Sequence, residues 1–318
     1  MQDVKAAAAV GTERKTATFR KRLWSQRELI LMSFPLVALV ILFAYVPIWG
    51  WTMAFQQYRP GKSIFDQEWV GFDQFKFLFE DEIFLQVLRN TLAMSVINMV
   101  LGFVTAILLA LMLNEVKQKF TKRFIQTVSY LPHFLSWIIV TGIVATSLSI
   151  EDGIVNDVLM RLGLISEPIL WLGTPKYFWG IVGASHVWKE VGWNTIIYLA
   201  AITSIDPSLY EAAEMDGANR YRKIYHITLP GIRPIIVILL IMNLGHILEA
   251  GFEVQYLLGN GQVIDYSQTI DIFVLKYGLR IGNYSLATAA GMFKTVISII
   301  LLFAANNIAK RLGEERLI

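Results

Sequence analysis

The chain has 318 residues, of which 55% are hydrophobic and only 17% charged, with a mean hydropathy of +0.51. Soluble domains carry about a quarter charged residues, so this composition suits lipid rather than water. A net charge of +3 is too small to point to nucleic acid, and the absence of cysteine excludes disulfides, thiol nucleophiles and Cys-based metal sites.

A bilayer core of about 30 Å needs roughly 20 apolar residues per helix, and six stretches meet that need. After an N-terminal tail, residues 1–28, they are 29–50, 90–114, 124–150, 177–205, 234–256 and 281–309, with a C-terminal tail at 310–318. The first two carry no charge, and the third holds only His133. The fourth holds Lys189 and Glu190, the fifth Glu249 and Glu253, and the sixth Lys294. Basic residues cluster in the N-terminal tail, in 117–123 (Lys117, Lys119, Lys122, Arg123), in 220–233 (Arg220, Arg222, Lys223, Arg233) and after 310. The intervening loops, 51–89 and 151–176 among them, are poorer in Lys and Arg. The positive-inside rule therefore predicts that both termini lie in the cytoplasm. The first span is too long for a signal-peptide core and lacks an Ala-x-Ala site, so it reads as a retained helix. The predicted fold is an all-α integral membrane protein with six transmembrane helices. Nine Trp, twelve Tyr and nineteen Phe fit interfacial aromatic belts first and a sugar-stacking path second.

The loop between the fourth and fifth spans is the most informative segment. Asp206 followed by Pro207 is a helix start, a capping carboxylate and then proline at the first helical position. Leu209, Ala212, Ala213 and Met215 form a narrow apolar stripe beside Glu211 and Glu214, and Gly217 is placed to end the helix in a left-handed conformation. A second short helix, from Asn219 to about Thr228, is expected to follow before Leu229–Pro234 re-enters the membrane. Small alanines and a carboxylate on a bent helix pair suit docking into a partner's cleft. An interfacial linker is the equal alternative on physical grounds.

The run Glu211-Ala212-Ala213, then Asp216-Gly217-Ala218, then Ile227-Thr228-Leu229-Pro230 and Pro234 resembles the EAA loop of binding-protein-dependent ABC importer permeases. One departure is Ile224, where that family's pattern has phenylalanine. The resemblance extends from about Gln26 to Leu312. Phe43-Ala44-Tyr45-Val46-Pro47, Trp69-Val70-Gly71-Phe72, Arg89-Asn90-Thr91, Leu113-Asn114-Glu115, Tyr130-Leu131-Pro132-His133-Phe134 and Asn306-Asn307 are similar to the carbohydrate branch and its polysaccharide subgroup. Permeases for alginate and for pectin fragments are similar, with alginate the first candidate. The resemblance implies that the loop over about 204–233 is a cytoplasmic coupling helix, with Glu211, Ala212, Ala213, Asp216, Gly217 and Ala218 contacting an ATPase. It further implies a second homologous permease as a heterodimer partner, two ATP-binding subunits and a periplasmic sugar-binding protein, in a bacterial inner membrane. No P-loop is present: Gly61-Lys62-Ser63 lacks the required glycine, because Gln56 stands in its place. The chain needs no cofactor of its own, and ATP and Mg belong to the partner ATPase.

Ionisable groups at membrane depth face cavities or partners. Lys189 lies about 18 Å along the fourth span, and His186, Glu190 and Trp193 share a helical face. Asn243, His246 and Ala250 share one in the fifth span, beside Glu249 and Glu253. Adjacent Lys189 and Glu190 are expected not to face each other. By the resemblance, the substrate path draws on His186, Lys189, Glu190, Trp193, Asn243, Glu249 and Lys294, the two lysines suiting an acidic sugar. Interhelical hydrogen bonding is the competing reading for each residue alone. An ion-driven secondary carbohydrate transporter and a membrane-embedded sugar-processing enzyme are the alternative functions.

Overall fold

The computed structural model describes Trp24 and residues 26–311. Most of the tail read over 1–28, and residues 312–318, lie outside the described residues. The chain divides into two compact units, Met1–Met53 and Ala54–Ile318.

Helix α1, Arg27–Phe55, makes up nearly all that is described of the first unit. It is α-helical to Val40, widens to a π turn over Ile41–Tyr45 and tightens to 3₁₀ from Val46. The π turn closes with Val46 N–H donating to the Ile41 carbonyl. The next residue, Pro47, has no N–H to offer, so slipping the ladder here forfeits little. No side chain of Arg27–Val40 is buried. A helix that is apolar all round is compatible with hydrocarbon and not with water.

The second unit opens with a two-stranded antiparallel ribbon, β1 (Gln56–Gln57) and β2 (Glu68–Trp69), in the register Gln56 to Trp69. Phe55 stacks on Trp69 and meets Phe72 and Phe75. Helix α2 (Asp73–Glu80) leads into α3 (Glu82–Glu115), whose N-cap Asp81 accepts a hydrogen bond from Ile83 N–H at 2.9 Å. Helices α4 (Lys119–Phe134) and α5 (Trp137–Ser147) follow, then α6 (Ile154–Arg161) and α7 (Pro175–Thr203). Next come α8 (Pro207–Met215), α9 (Arg220–Gly245) and α10 (Phe252–Leu258). Short helices α11 (Ile264–Ser267) and α12 (Ile270–Leu275) precede α13 (Tyr284–Arg311). The most extensive packing is α3 along α7.

Four of these helices, α1, α3, α9 and α13, are long and apolar enough to cross a membrane, and the bent pair α4–α5 makes five if it is one span. Helix α7 has 29 residues, but His186, Lys189, Glu190 and Asn194 keep it out of that group. Two predicted spans are broken. The stretch 124–150 is no straight helix: α4 and α5 meet at 103°, because Leu131–Phe134 tightens to 3₁₀ around Pro132 and the chain then extends through Leu135 and Ser136. The stretch 234–256 ends its helix at Gly245 and resumes only at Phe252, after Gly251 at φ +86°. Glycine tolerates that left-handed turn. The second short helix expected over 219–228 is instead the first part of the single helix α9. A π turn at Ile224–Thr228, again just ahead of a residue preceding proline (Leu229-Pro230), carries it through.

Glycine allows a close approach between α4 and α7. A Cβ on Gly192 of α7 would lie 2.1 Å from the Ser129 carbonyl oxygen of α4, whereas one on Gly180 would meet nothing within 4 Å. Gly192→Leu is expected to destabilise the purified protein by about 1–3 kcal/mol, the usual cost of overpacking, while Gly180→Ala leaves the thermal unfolding midpoint nearly unchanged.

Candidate functional site: a polar membrane cavity and a bent loop

The bent loop forms from local chemistry. The Asp206 carboxylate accepts from Ser208 N–H at 2.9 Å, and that bond holds its pKa below the usual carboxylate value. Pro207 occupies the first helical position of α8. At the other end Gly217 sits at φ +73°. Its N–H donates to the Glu214 carbonyl at 3.0 Å and Ala218 N–H to Ala213 at 2.8 Å, the paired bonds of a Schellman cap. Asn219 then caps α9 by accepting from Arg222 N–H at 3.0 Å. Lys223 binds Glu214, depressing the pKa of that carboxyl, and Tyr210 hydroxyl pairs with Thr228 at 3.0 Å. These contacts fix the bend and leave the outer face open. Helix α8 has no buried residue. Glu211, Ala212, Asp216 and Gly217 are exposed, Ala213 and Ala218 half-buried, and Met215 is 88% exposed.

A cavity of about 240 Å³ opens between α3, α7, the end of α9 and the irregular residues 246–251. Its polar walls are Ser95 and Asn98 from α3, His186 and Asn194 from α7, and Asn243, His246 and Glu249. Phe103 and Tyr198 supply rings. Ser95 Oγ, Asn98 Oδ1 and His186 Nδ1 are buried without a hydrogen-bond partner. Buried polar atoms in native proteins are nearly always satisfied, so three orphans around one cavity mark it for a polar occupant.

The predicted path residues divide into three groups. His186, Asn243 and Glu249 line this cavity. Lys189, Glu190 and Trp193 turn instead to the break between α4 and α5. There Lys189 Nζ donates to the His133 carbonyl at 2.6 Å, Glu190 Oε2 lies 2.8 Å from His133 Nδ1, and Trp193 stacks on the His133 ring at 4.4 Å. Lys189 and Glu190 do face each other, at 3.2 Å, contrary to the sequence expectation. Their Cβ atoms diverge, but both long side chains reach to the same gap in the neighbouring helix. Lys294 lies in an adjoining recess that shares His246 and Glu249, and it pairs with Asp271 at 2.6 Å. Both lysines thus spend their charge on carboxylates of this chain. The face assigned to Asn243, His246 and Ala250 is not helical, since α9 stops at Gly245, although Asn243 and His246 still reach the cavity.

Ser95, Asn98 and Asn194 were missed, as was His133. The first two lie at an i, i+3 spacing within the uncharged stretch 90–114, a polar stripe that the absence of charge concealed. No three His, Asp or Glu side chains among the described residues are grouped to hold a metal.

Residues 84–314 match the family described as "binding-protein-dependent transport system inner membrane component". The chain is a member of that family. It is 44% identical over 294 residues to the polygalacturonan/rhamnogalacturonan transport system permease protein YteP of Bacillus subtilis, covering 92% of this chain and 91% of that one. It is 40% identical over 313 residues to Protein LplB of the same organism, covering 98% of both. A bacterial ABC transporter for import of the acidic polysaccharide alginate contains a chain of 41% identity and TM-score 0.85, covering 92% of this chain and 99% of that one. The alginate transporter in complex with its alginate pentasaccharide-bound periplasmic protein gives 40% identity and TM-score 0.87, covering 94% of this chain and 99% of that one. The chain is therefore the membrane component of a binding-protein-dependent importer, and not an enzyme.

The Asp271–Lys294 pair is only partly screened, with side chains 31% and 18% exposed. Lys294→Met is expected to lower stability by roughly 2–4 kcal/mol through the carboxylate it orphans, and adding Asp271→Asn should recover most of that loss. Thermal unfolding of the single and double variants checks this.

Proposed function

We propose that this chain is one of two permease subunits enclosing an oligosaccharide path, and that the cavity between α3, α7 and α9 is its share of that path. The observation that carries the reading is the set of unpartnered atoms, Ser95 Oγ, Asn98 Oδ1 and His186 Nδ1, around a space with aromatic walls. Sugar hydroxyls both donate and accept, which suits a hydroxyl, an amide oxygen and an imidazole nitrogen. Phe103 and Tyr198 offer apolar ring faces. The relatives named for alginate and for polygalacturonan point to an acidic oligosaccharide, alginate first. With Lys189 and Lys294 paired internally, sugar carboxylates would accept from N–H groups of Asn194 and the His186 imidazole rather than from a bare ammonium.

In this reading a six-helix domain spans residues 29–309 of a bacterial inner membrane, with cytoplasmic tails at 1–28 and 310–318. The third and fifth spans are broken, and α7 is the fourth. The loop with α8 lies in the cytoplasm, where Glu211, Ala212, Ala213, Asp216, Gly217 and Ala218 dock into an ATP-binding subunit. Two such subunits hold ATP and Mg. A second, homologous permease completes the path, and a periplasmic sugar-binding protein delivers the load at the outer face. ATP binding draws the coupling helices together and turns the cavity outward, and hydrolysis resets it.

Two experiments test this. Asn98→Ala and His186→Ala are each expected to cut uptake of an alginate oligosaccharide by about tenfold, the scale of one lost hydrogen bond to a buried polar group, in vesicles holding the assembled importer and its binding protein. Unchanged uptake in both removes the cavity from the path. For the loop, Gly217→Trp or Glu211→Lys should abolish uptake while the chain still inserts. Because the chain has no cysteine, a single Gly217→Cys can be labelled by a membrane-impermeant reagent. Labelling from the outer face of intact cells would end the docking assignment.

A further inference from the structure

We propose that Lys189 and Glu190 are positioning residues that fix the angle between α4 and α5, gripping the break at residues 131–136 from the neighbouring helix α7. The inference goes beyond the sugar path, since neither residue lines the cavity.

The break leaves backbone groups that a continuous helix would have paired, and in a bilayer water cannot serve them. Lys189, only 6% exposed, reaches across to the His133 carbonyl at 2.6 Å. Glu190 bridges, with one oxygen 2.8 Å from His133 Nδ1 and the other 3.2 Å from Lys189 Nζ. One turn further along α7, Trp193 lies flat on the His133 ring, 3° from parallel. Toward the α5 side, Lys189 Nζ stands 5.4 Å over the Trp137 ring, and His186 stacks on the same indole. Gly192 lets α4 come close enough for this grip. Thus α7 holds the last turn of α4 and the first residue of α5 at once.

Stability alone does not account for the pair, because an apolar contact of equal volume is commonly as stabilising as a buried ion pair. An apolar contact is also indifferent to angle. Charge-assisted hydrogen bonds aimed at one carbonyl and one imidazole are satisfied only over a narrow range of bend.

The test separates holding the fold from holding the angle. Spin labels at Thr127→Cys in α4 and Ile143→Cys in α5, both exposed, report the distance across the bend in the assembled importer in lipid nanodiscs. Lys189→Met alone leaves the Glu190 carboxylate with His133 but without its opposite charge, and should lower the unfolding midpoint. The double variant Lys189→Met/Glu190→Gln removes both charges and should recover the midpoint. Its label-to-label distance distribution should nevertheless widen, and amide exchange over residues 131–137 should speed up about tenfold, the change expected for one lost charge-assisted hydrogen bond. Lys189→Arg keeps a donor and should keep the narrow distribution. A double variant with the parent's distance distribution and exchange rates overturns the proposal. So does a Lys189→Arg variant as broad as the double one.

Discussion

Inside a bilayer every peptide group needs a partner from the protein itself, and this chain interrupts two of its membrane-depth helices. The rest of the structure depends on how those interruptions are satisfied. At residues 131–136 the donor is the Lys189 ammonium, held over the His133 carbonyl. At residues 246–251 it is Gln255, fully buried, whose amide donates to the Ala250 carbonyl at 2.9 Å, with Asn98 approaching the same oxygen at 3.5 Å. One break is served by a charge and the other by amides. The first donor reaches in from another helix, fifty-six residues along the chain, so that geometry depends on the tertiary fold, whereas Gln255 lies only five residues beyond Ala250 and the long-range partner there is Asn98.

This explains where the cavity sits. An uninterrupted α9 would carry its side chains past α3 and α7 as a packed seam, like the cluster of Ala106, Ala110, Tyr198, Ile202 and Ile232 lower in the same group of helices. Where the helix stops, residues 246–251 leave that seam, and the space opens among Asn98, His186, Asn194 and Asn243. The charged network beside it is tied to the other break and meets the cavity only through Trp137, which His186 and Lys189 share. The two clusters looked like one in the sequence because His186 and Glu190 are a single turn apart.

Features set by neighbouring residues were legible from the sequence. Asp206-Pro207 starts α8 and Gly217 ends it, each through bonds within a few positions. The long apolar helices α1, α3 and α13 also follow from composition alone. The breaks were less legible, because hydropathy runs on through 124–150 and 234–256 while the helix breaks off inside each run, around Pro132 and after Gly245. Pairings across the fold, His133 with Glu190 or Lys294 with Asp271, left no trace in local spacing. The argument that adjacent Lys189 and Glu190 diverge is right for their Cβ atoms and wrong for side chains several bonds long. The separate helix expected at 219–228 failed for a related reason. Pro230 and Pro234 look like stops, but the π turn at Ile224–Thr228 absorbs the first, and α9 continues past the second.

That continuity has a mechanical consequence. From Arg220 to Gly245 there is one rod of 26 residues, about 39 Å at the helical rise, with its near end stapled to α8 through the Glu214–Lys223 and Tyr210–Thr228 contacts. A rod that long can serve as a lever: a tilt of a few degrees applied beside the loop would become an excursion of a few ångströms at Asn243, in the cavity wall. Two hinged pieces would have dissipated the same stroke at the joint.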